Sequence, residues 1–153
     1  KNFHGLHLRM LQISYPEYPF RIKEETGKAF IFDEVRKKWV RLTPDEWVRQ
    51  NFLQYLVQVL GYPRSVIAVE KAIQLGELNK RCDIVVYRGH NPWMIIECKE
   101  PGVALGEEVV QQVLRYNIPL NVQVLVVTNG AETKAVQLSQ GSMALLQSLP
   151  AWT

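Results

Sequence analysis

Polar and apolar residues follow a two-residue period early in the chain. Residues 27–42 alternate around Phe30, pass through a charged turn and return through Trp39, which predicts a β-hairpin. The stretch GLHLRMLQI, residues 5–13, fits either a strand or a turn of helix. We therefore expect an N-terminal β extension over residues 1–41.

A helical period follows over residues 42–61. Thr43 suits the N-cap, Pro44 suits the first helical position, and Glu46 completes a capping box. Apolar residues then recur at helical spacing up to Gly61, which is expected to end the helix. This stripe comprises Trp47, Phe52, Leu53, Leu56, Val59 and Leu60.

Three short β-branched segments come next and predict three consecutive strands in an antiparallel meander. They are residues 65–75, 81–89 and 92–100. A second helical pattern covers residues 106–117, and the apolar run at 122–130 is typical of a strand buried on both faces. The tail, residues 131–153, predicts one more strand and a short helix near Leu145.

Length and composition fit one ordinary domain. The 153 residues suffice for a hydrophobic core, and 47% apolar with 22% charged residues is a globular profile. The element order α, β, β, β, α, β over residues 42–130 predicts an α/β fold with a mixed central sheet flanked by helices. No apolar run approaches the roughly 20 residues that span a membrane, and no signal-peptide pattern is present, so we expect a cytoplasmic protein.

Cysteine content and net charge give weaker indications of compartment and partners. Cys82 and Cys98 lie within apolar runs, so we expect thiols that point into the core, in a reducing compartment. The formal net charge of +3 is compatible with a nucleic-acid partner but too small to predict one. The chain has no Gly-rich phosphate loop, so we expect no ATP-driven translocation from it.

Three charged residues interrupt two of the predicted strands. Because side chains alternate along a strand, Glu97 and Lys99 lie on the same face of the predicted strand at residues 92–100. If the strands are neighbours, Asp83 converges with Glu97 at one edge of the sheet. Two buried carboxylates are tolerated when a divalent cation lies between them, and such oxygen ligands suit Mg²⁺ or Mn²⁺. Lys99 could then orient a water molecule or steady charge on a phosphate.

Asp83 followed by Glu97-Cys98-Lys99 resembles the signature of the PD-(D/E)XK nuclease superfamily, with Cys82 where the family name has Pro. The resemblance implies a restriction-endonuclease-like fold and Mg²⁺-dependent hydrolysis of DNA, with Mn²⁺ as a substitute. It also implies that Asp83, Glu97 and the backbone carbonyl of Cys98 hold the metal, while Lys99 positions the attacking water.

Residues 42–130 narrow this resemblance to the N-terminal nuclease domain of type I restriction enzyme R subunits and their stand-alone relatives. The similar segments are LTPDEWVRQNFLQYLVQVLGYP, VEKAIQLG, KRCDIVVY, IIECKEP, VVQQVLRYN and LVVTNG. The resemblance implies DNA as the substrate and a helicase, translocase or other restriction-modification subunit as a partner. Two alternatives stay open, namely a nuclease-fold DNA-binding or assembly module with weak or no activity, and an RNA-directed nuclease.

Gln112 and Tyr116 lie four residues apart on one helical face, whereas Gln111 falls off that face. The pair resembles the Q-x-x-x-Y motif of the same enzymes, which implies support of the active site or contact with the DNA backbone. An ordinary helix surface is the alternative. A further acidic ligand is often supplied in this family, and Glu46 and Glu70 are rival candidates for it.

Basic residues near these segments are candidates for contacts with phosphates. Lys80 and Arg81 lead directly into the strand of Asp83, and Arg49 lies on the first helix. The alternative is that these residues only solvate the surface of the domain.

Overall fold

The computed structural model describes residues 10–139 and 141–153. The chain forms a six-stranded mixed sheet with a helix on each face, and a separate three-stranded antiparallel sheet before it. Residues 10–21 contain neither helix nor strand. The expectation of a strand or helical turn over residues 5–13 is therefore wrong where it can be checked, and residues 5–9 lie outside the described part.

The three-stranded sheet contains the predicted hairpin and one further strand. Its strands, in spatial order, are β1 (Ile22–Glu25), β2 (Lys28–Asp33) and β3 (Lys38–Arg41). β2 and β3 form the hairpin, with Phe32 opposite Trp39. β1 shows no apolar alternation and was not predicted. Thr26 and Gly27 both adopt positive φ, as a two-residue hairpin turn requires. This turn brings β2 back along β1.

The central sheet has the order β4-β5-β6-β7-β8-β9. Its strands are β4 (Ile67–Leu75), β5 (Leu78–Arg88), β6 (Asn91–Cys98), β7 (Val124–Thr128), β8 (Thr133–Ser139) and β9 (Ser142–Leu145). β4 to β6 form the predicted antiparallel meander, and β6 pairs with β7 in parallel. A parallel step needs a crossover connection, which α2 (Glu107–Asn117) provides. This arrangement confirms the predicted α/β fold with a mixed sheet.

The first helix, α1 (Pro44–Gln54), begins after Thr43, whose hydroxyl accepts the Glu46 N–H at 3.3 Å. The prediction of a regular helix up to Leu60 is wrong for its last part, because Tyr55–Val59 form a wider π-helical turn. The Leu60 N–H reaches back five residues for its acceptor, and a 3.6-residue apolar period gives no sign of such a turn. No helix in the described residues is long and apolar enough to cross a membrane.

The C-terminal tail differs from its prediction in one element. β8 is the strand that was predicted, but the short helix expected near Leu145 is wrong, because Ser142–Leu145 form a strand that pairs antiparallel with β8. Gly141 adopts a φ of +82°, which allows the chain to turn back tightly along β8.

Hydrophobic clusters lie on both faces of the central sheet. The cluster under α1 includes Phe52, Leu53, Leu56, Ile84, Met94, Ile96 and Val126. The cluster under α2 includes Val85, Ile95, Val110, Val113, Leu114 and Leu125. Helices thus cover β6 and β7 on both sides, and all five residues of β7 are buried, as the apolar run at 122–130 predicts.

A matched pair of substitutions tests this core. We expect Val126→Ala to lower the free energy of unfolding by about 2–3 kcal/mol, because the side chain is fully buried and its removal leaves a cavity. Val59 is 52% exposed, so Val59→Ala should change stability by no more than about 0.5 kcal/mol. Urea denaturation measures both, and equal losses in the two variants would contradict this core.

Candidate active site at the carboxyl end of β6

Asp83 joins the two strands that carry the charged residues. The β5–β6 ladder reaches Ile84, and next to it the Oδ2 atom of Asp83 accepts the Cys98 N–H at 2.7 Å. On the other side, Cys98 pairs with Thr128 of β7, whose carbonyl accepts the Lys99 N–H at 2.8 Å. The E-x-K triplet is therefore held at the carboxyl end of β6 between β7 and a carboxylate of β5.

Glu70 lies in β4 at the level of Asp83 and has an unusual backbone. Its φ is +52°, a left-handed conformation that costs a residue other than glycine about 1–2 kcal/mol. The side-chain alternation changes across it, since Val69 packs against the cluster under α1 and Ile73 against the cluster under α2. Regular alternation along this strand would place Ile67, Val69 and Ile73 on one side of the sheet, but Ile73 lies on the side opposite to the other two.

The cysteines show the same change of face. Cys82 is buried in the cluster under α2, whereas Ile84, two residues later, belongs to the cluster under α1. Cys98 is partly buried and packs against the cluster under α1. Both thiols are free, as expected, but they lie on opposite sides of the sheet.

Glu97 is a buried acid with incomplete compensation. The residue is 8% exposed, and its Oε1 atom has no hydrogen-bond partner in the part of the chain that the structure describes. The Lys80 amine lies 3.7 Å from that atom. Burial first, and then the negative charge of Asp83, raise the pKa of Glu97 to about 7, against the opposing charges of Lys80 and Lys99. The negative charge of Asp83 therefore lies close enough to disfavour the ionisation of Glu97.

This donor set fits a hard divalent cation. Asp83 and Glu97 offer carboxylate oxygens, and the Cys98 carbonyl adds a third oxygen of the kind that Mg²⁺ accepts. A cation would also satisfy the buried Oε1 atom of Glu97. Among residues 10–139 and 141–153, no group of three or more His, Cys, Asp or Glu side chains is placed to hold a metal, so the remaining ligands would be main-chain, water or phosphate oxygens.

Glu46 lies in a buried ion network. Arg49 donates to its two carboxylate oxygens at 2.6 and 2.9 Å, Arg36 donates at 3.0 and 3.1 Å, and Gln50 donates at 3.1 Å. Burial alone would raise the pKa of Glu46, but these donors, Arg49 foremost, hold it below its usual value. The carboxylate is thus engaged by three side chains, and binding a metal would require these contacts to break.

Glu70 lies at the exposed side of the same network. Its side chain is 42% exposed and approaches Arg49 at 3.3 Å, Arg81 at 3.4 Å and Arg36 at 3.7 Å. Burial acts to raise the pKa of Glu70, but the arginines, Arg49 first, lower it overall. Arg49 also lies 3.4 Å from Asp83, so one guanidinium connects both candidate acids to the site.

The Q-x-x-x-Y residues line the same cleft as the E-x-K triplet. This cleft has a volume of about 230 Å³. It is lined by Lys80, Glu97, Lys99, Gln112, Val113, Tyr116 and Asn117. Gln111 is buried and bonds instead to Glu107 and Arg115 of its own helix. The geometry therefore brings Gln112 and Tyr116, and not Gln111, to Glu97 and Lys99.

The three basic residues predicted to contact phosphates lie in three different environments. Lys80 lies inside the cleft, with its amine 5.9 Å from the centre of the Tyr116 ring. The Arg81 side chain is 67% exposed and within 3.4 Å of Glu70. Arg49 is 6% exposed and engaged by acids, so its placement does not suit a surface contact with phosphate.

Sequence reasoning missed the turn between β2 and β3. The sequence predicts only a charged turn here, yet Asp33 is fully buried and its Oδ1 atom accepts the N–H groups of Val35 and Arg36. These bonds fix the turn and direct Arg36 inward, where it donates to Asp33 at 2.7 Å and reaches Glu46. An Asp at the start of a tight turn was the available signal, because Asp commonly bonds backbone groups two or three residues ahead.

Asn117 was missed as well. It is 1% exposed, its amide donates to the Val113 carbonyl at 2.8 Å, and its Oδ1 atom has no hydrogen-bond partner in the described residues. It lines the cleft beside Glu97. Only its position directly after Tyr116 pointed to the site. The closeness of Lys80 to Glu97 was also missed, since it depends on the pairing of β5 with β6.

A family comparison agrees with this geometry. The family model described as type I restriction enzyme R protein N terminus matches residues 44–150, so the chain belongs to that family. The match reaches beyond residue 130 and includes β8 and β9. No curated protein matches the chain significantly.

A structural comparison gives a weaker likeness. One similar crystal structure is that of a protein from Anabaena variabilis ATCC 29413, which belongs to DUF820 and is described as a candidate nuclease. Its TM-score is 0.47 and its sequence identity 15%, over 82% of this chain and 80% of that one.

The raised pKa of Glu97 predicts a stability that depends on pH. The folded chain keeps the proton of Glu97 between pH 4.5 and about 7, so this group's contribution to stability is present below pH 4.5 and is lost as the pH rises through 7. Gln cannot ionise, so Glu97→Gln should be more stable than the parent at pH 8 by up to about 3 kcal/mol, and equal near pH 4.

Denaturation with EDTA present measures this difference across the pH range. Glu77 is exposed, so Glu77→Gln is a matched control that should show little dependence on pH. A difference between Glu97→Gln and the parent that stays constant from pH 4 to 8 would contradict the described environment of Glu97.

Proposed function

We propose that this chain hydrolyses DNA phosphodiester bonds with a divalent metal ion, as the nuclease domain of a type I restriction system. The observation that carries the proposal is the meeting of Asp83, Glu97 and Lys99 at one strand end, with a buried Glu97 oxygen that has no hydrogen-bond partner in the described residues. Membership of the R protein N-terminus family supports DNA as the substrate.

Asp83, Glu97 and the Cys98 carbonyl would hold Mg²⁺, with Mn²⁺ as a substitute. When bound, the ion would offset charge on the phosphate and make the attacking water more acidic. Asp83 is already oriented for this role, because its Oδ2 atom is fixed by the Cys98 N–H and its Oδ1 atom lies against Arg49. Arg49 acts as a positioning residue, held in turn by Glu46.

The other residues of the cleft would handle water and phosphate. Lys99 directly follows the metal-binding strand and lines the cleft, so its amine can position the attacking water and take up or release a proton. Lys80 lines the same cleft and supplies a second cation for the phosphate. The amide of Gln112 and the hydroxyl of Tyr116 can donate hydrogen bonds to the DNA backbone.

The proposal extends to partners and compartment. The family name refers to the R protein of type I restriction enzymes, so a helicase, translocase or other restriction-modification subunit is the partner that we propose. A reducing cytoplasm is the expected location, because both cysteines are free.

A second candidate is a DNA-binding or assembly module of the same fold without useful turnover. Arg49 lies 3.4 Å from Asp83, and the pKa of Glu97 near 7 allows it to hold a proton at neutral pH. Both acids can therefore be compensated without a metal. If Asp83 keeps Arg49 and Glu97 keeps its proton when metal ions are added, the chain is a DNA-binding or assembly module and not a nuclease.

A cleavage assay separates the two candidates. We expect duplex DNA to be cut with Mg²⁺ or Mn²⁺ and not with EDTA, and Glu97→Gln or Lys99→Ala to reduce cutting by about a hundredfold or more. Glu77 is an exposed residue of the turn between β4 and β5 and does not line the cleft, so Glu77→Gln should cut at the rate of the parent. Equal cutting by Glu97→Gln and the parent would contradict the proposal, and DNA binding with no cutting of DNA or matched RNA would favour the inactive module.

A further inference from the structure

The three-stranded sheet has two unlike faces. Ile31 and Asp33 of β2 are fully buried on the inner face, where Asp33 belongs to the network of Arg36 and Glu46. Alternation therefore places Phe30 and Phe32 on the outer face. The register adds Trp39 opposite Phe32, with ring centres 5.4 Å apart, and the outer face thus carries an aromatic cluster that is only partly buried.

Cations surround these rings. The Arg21 guanidinium lies 4.5 Å from the centre of the Phe32 ring and 5.3 Å from that of Trp39, and the Lys23 amine lies 4.5 Å from Trp39. Arg41 is exposed and pairs with Phe30 across the β2–β3 ladder. Lys23 also forms an ion pair with Glu25 at 2.9 Å.

The charge on this face is therefore positive. Arg21, Lys23, Lys28 and Arg41 carry four positive charges, and Glu25 carries one negative charge. Among the described residues, Glu25 pairs with Lys23, whereas Arg21 and Arg41 have no acidic partner, so this face presents cations and three half-buried aromatic rings to a binding partner. An anionic chain with flat, exposed rings is the complementary partner, because its phosphates would meet the cations and its bases would stack on the aromatic or guanidinium planes.

We propose that the outer face of β1–β3, formed by Arg21, Lys23, Phe30, Phe32, Trp39 and Arg41, binds single-stranded nucleic acid. Unpaired bases are required, because the paired bases of a duplex do not expose their flat surfaces to a sheet. The face points away from the network that leads to Asp83, and it precedes residue 44, where the family match begins. It is thus a binding surface separate from the cleft.

The test measures binding of a fluorescein-labelled 20-nucleotide oligo(dT) by anisotropy, with EDTA present so that no cleavage contributes. The parent should bind this strand more tightly than a labelled duplex of equal length. Arg41→Glu should weaken binding about tenfold at 0.1 M salt and make the logarithm of affinity depend less steeply on the logarithm of salt concentration. Arg64→Glu makes the same charge change at another exposed arginine and should stay within about twofold of the parent.

A second variant tests stacking. Trp39→Leu should weaken binding about tenfold, whereas Trp39→Phe keeps an aromatic ring and should bind more tightly than Trp39→Leu. If Trp39→Leu fails to fold by circular dichroism, the comparison of Arg41→Glu with Arg64→Glu decides. Equal binding by Arg41→Glu and Arg64→Glu, a preference for duplex DNA, or no binding of the strand by the parent would overturn the proposal.

The outcome is distinct from that of the cleavage assay. A chain that binds oligo(dT) through this face but cuts nothing supports the surface and contradicts the nuclease proposal. A chain that cuts DNA while Arg41→Glu leaves strand binding unchanged supports the nuclease and overturns the surface.

Discussion

The hydrogen bond from the Cys98 N–H to the Asp83 carboxylate is the interaction on which the site depends. At this level a side chain of β5 contacts the backbone of β6, so the acid is fixed at the strand end that carries Glu97 and Lys99. The parallel pairing of β6 with β7 holds the same segment from the other side. Glu97 is buried at this strand end beside the negative charge of Asp83, which is why its pKa rises.

An ion network around Arg49 connects the acids of the site to the first helix and to the turn between β2 and β3. Arg49 contacts Glu46, Glu70 and Asp83, and Glu46 in turn holds Arg36, which is fixed by Asp33. Breaking one partner of such a network would leave an uncompensated buried charge. The left-handed residue Glu70 contacts these arginines, so local backbone strain and the ion network occur at the same place.

Much of this could be predicted from the sequence. The element order and the meander follow from apolar periods, because these depend on residues close in sequence. The meeting of Asp83 with Glu97 follows only when β5 and β6 are also taken as neighbours. The same period placed Gln112 rather than Gln111 with Tyr116, and the structure brings that pair to the cleft. The position of Thr43 as the N-cap of α1 could be predicted from its hydroxyl group and from Pro44 directly after it.

The remainder depends on features that no local pattern contains. The positive φ at Glu70 changes which face the following side chains of β4 occupy. Residues 68–73, AVEKAI, contain no Gly or Asn that would predict this conformation. The π-helical turn after Gln54 and the inward direction of Arg36 arise from packing against distant residues. The choice between Glu46 and Glu70 as a further ligand also depends on such contacts. Three side chains engage Glu46, whereas Glu70 is partly exposed.

Diffraction from crystals soaked in Mn²⁺ tests the central claim most directly, because Mn²⁺ is located by its anomalous signal. The account predicts one strong peak between Asp83 and Glu97, about 2.0–2.6 Å from an oxygen of each and from the Cys98 carbonyl. It also predicts that the Oε1 atom of Glu97 is among the ligands. A structure in which Mn²⁺ binds elsewhere, while Arg49 remains the counter-ion of Asp83 and Glu97 has no metal contact, would contradict it.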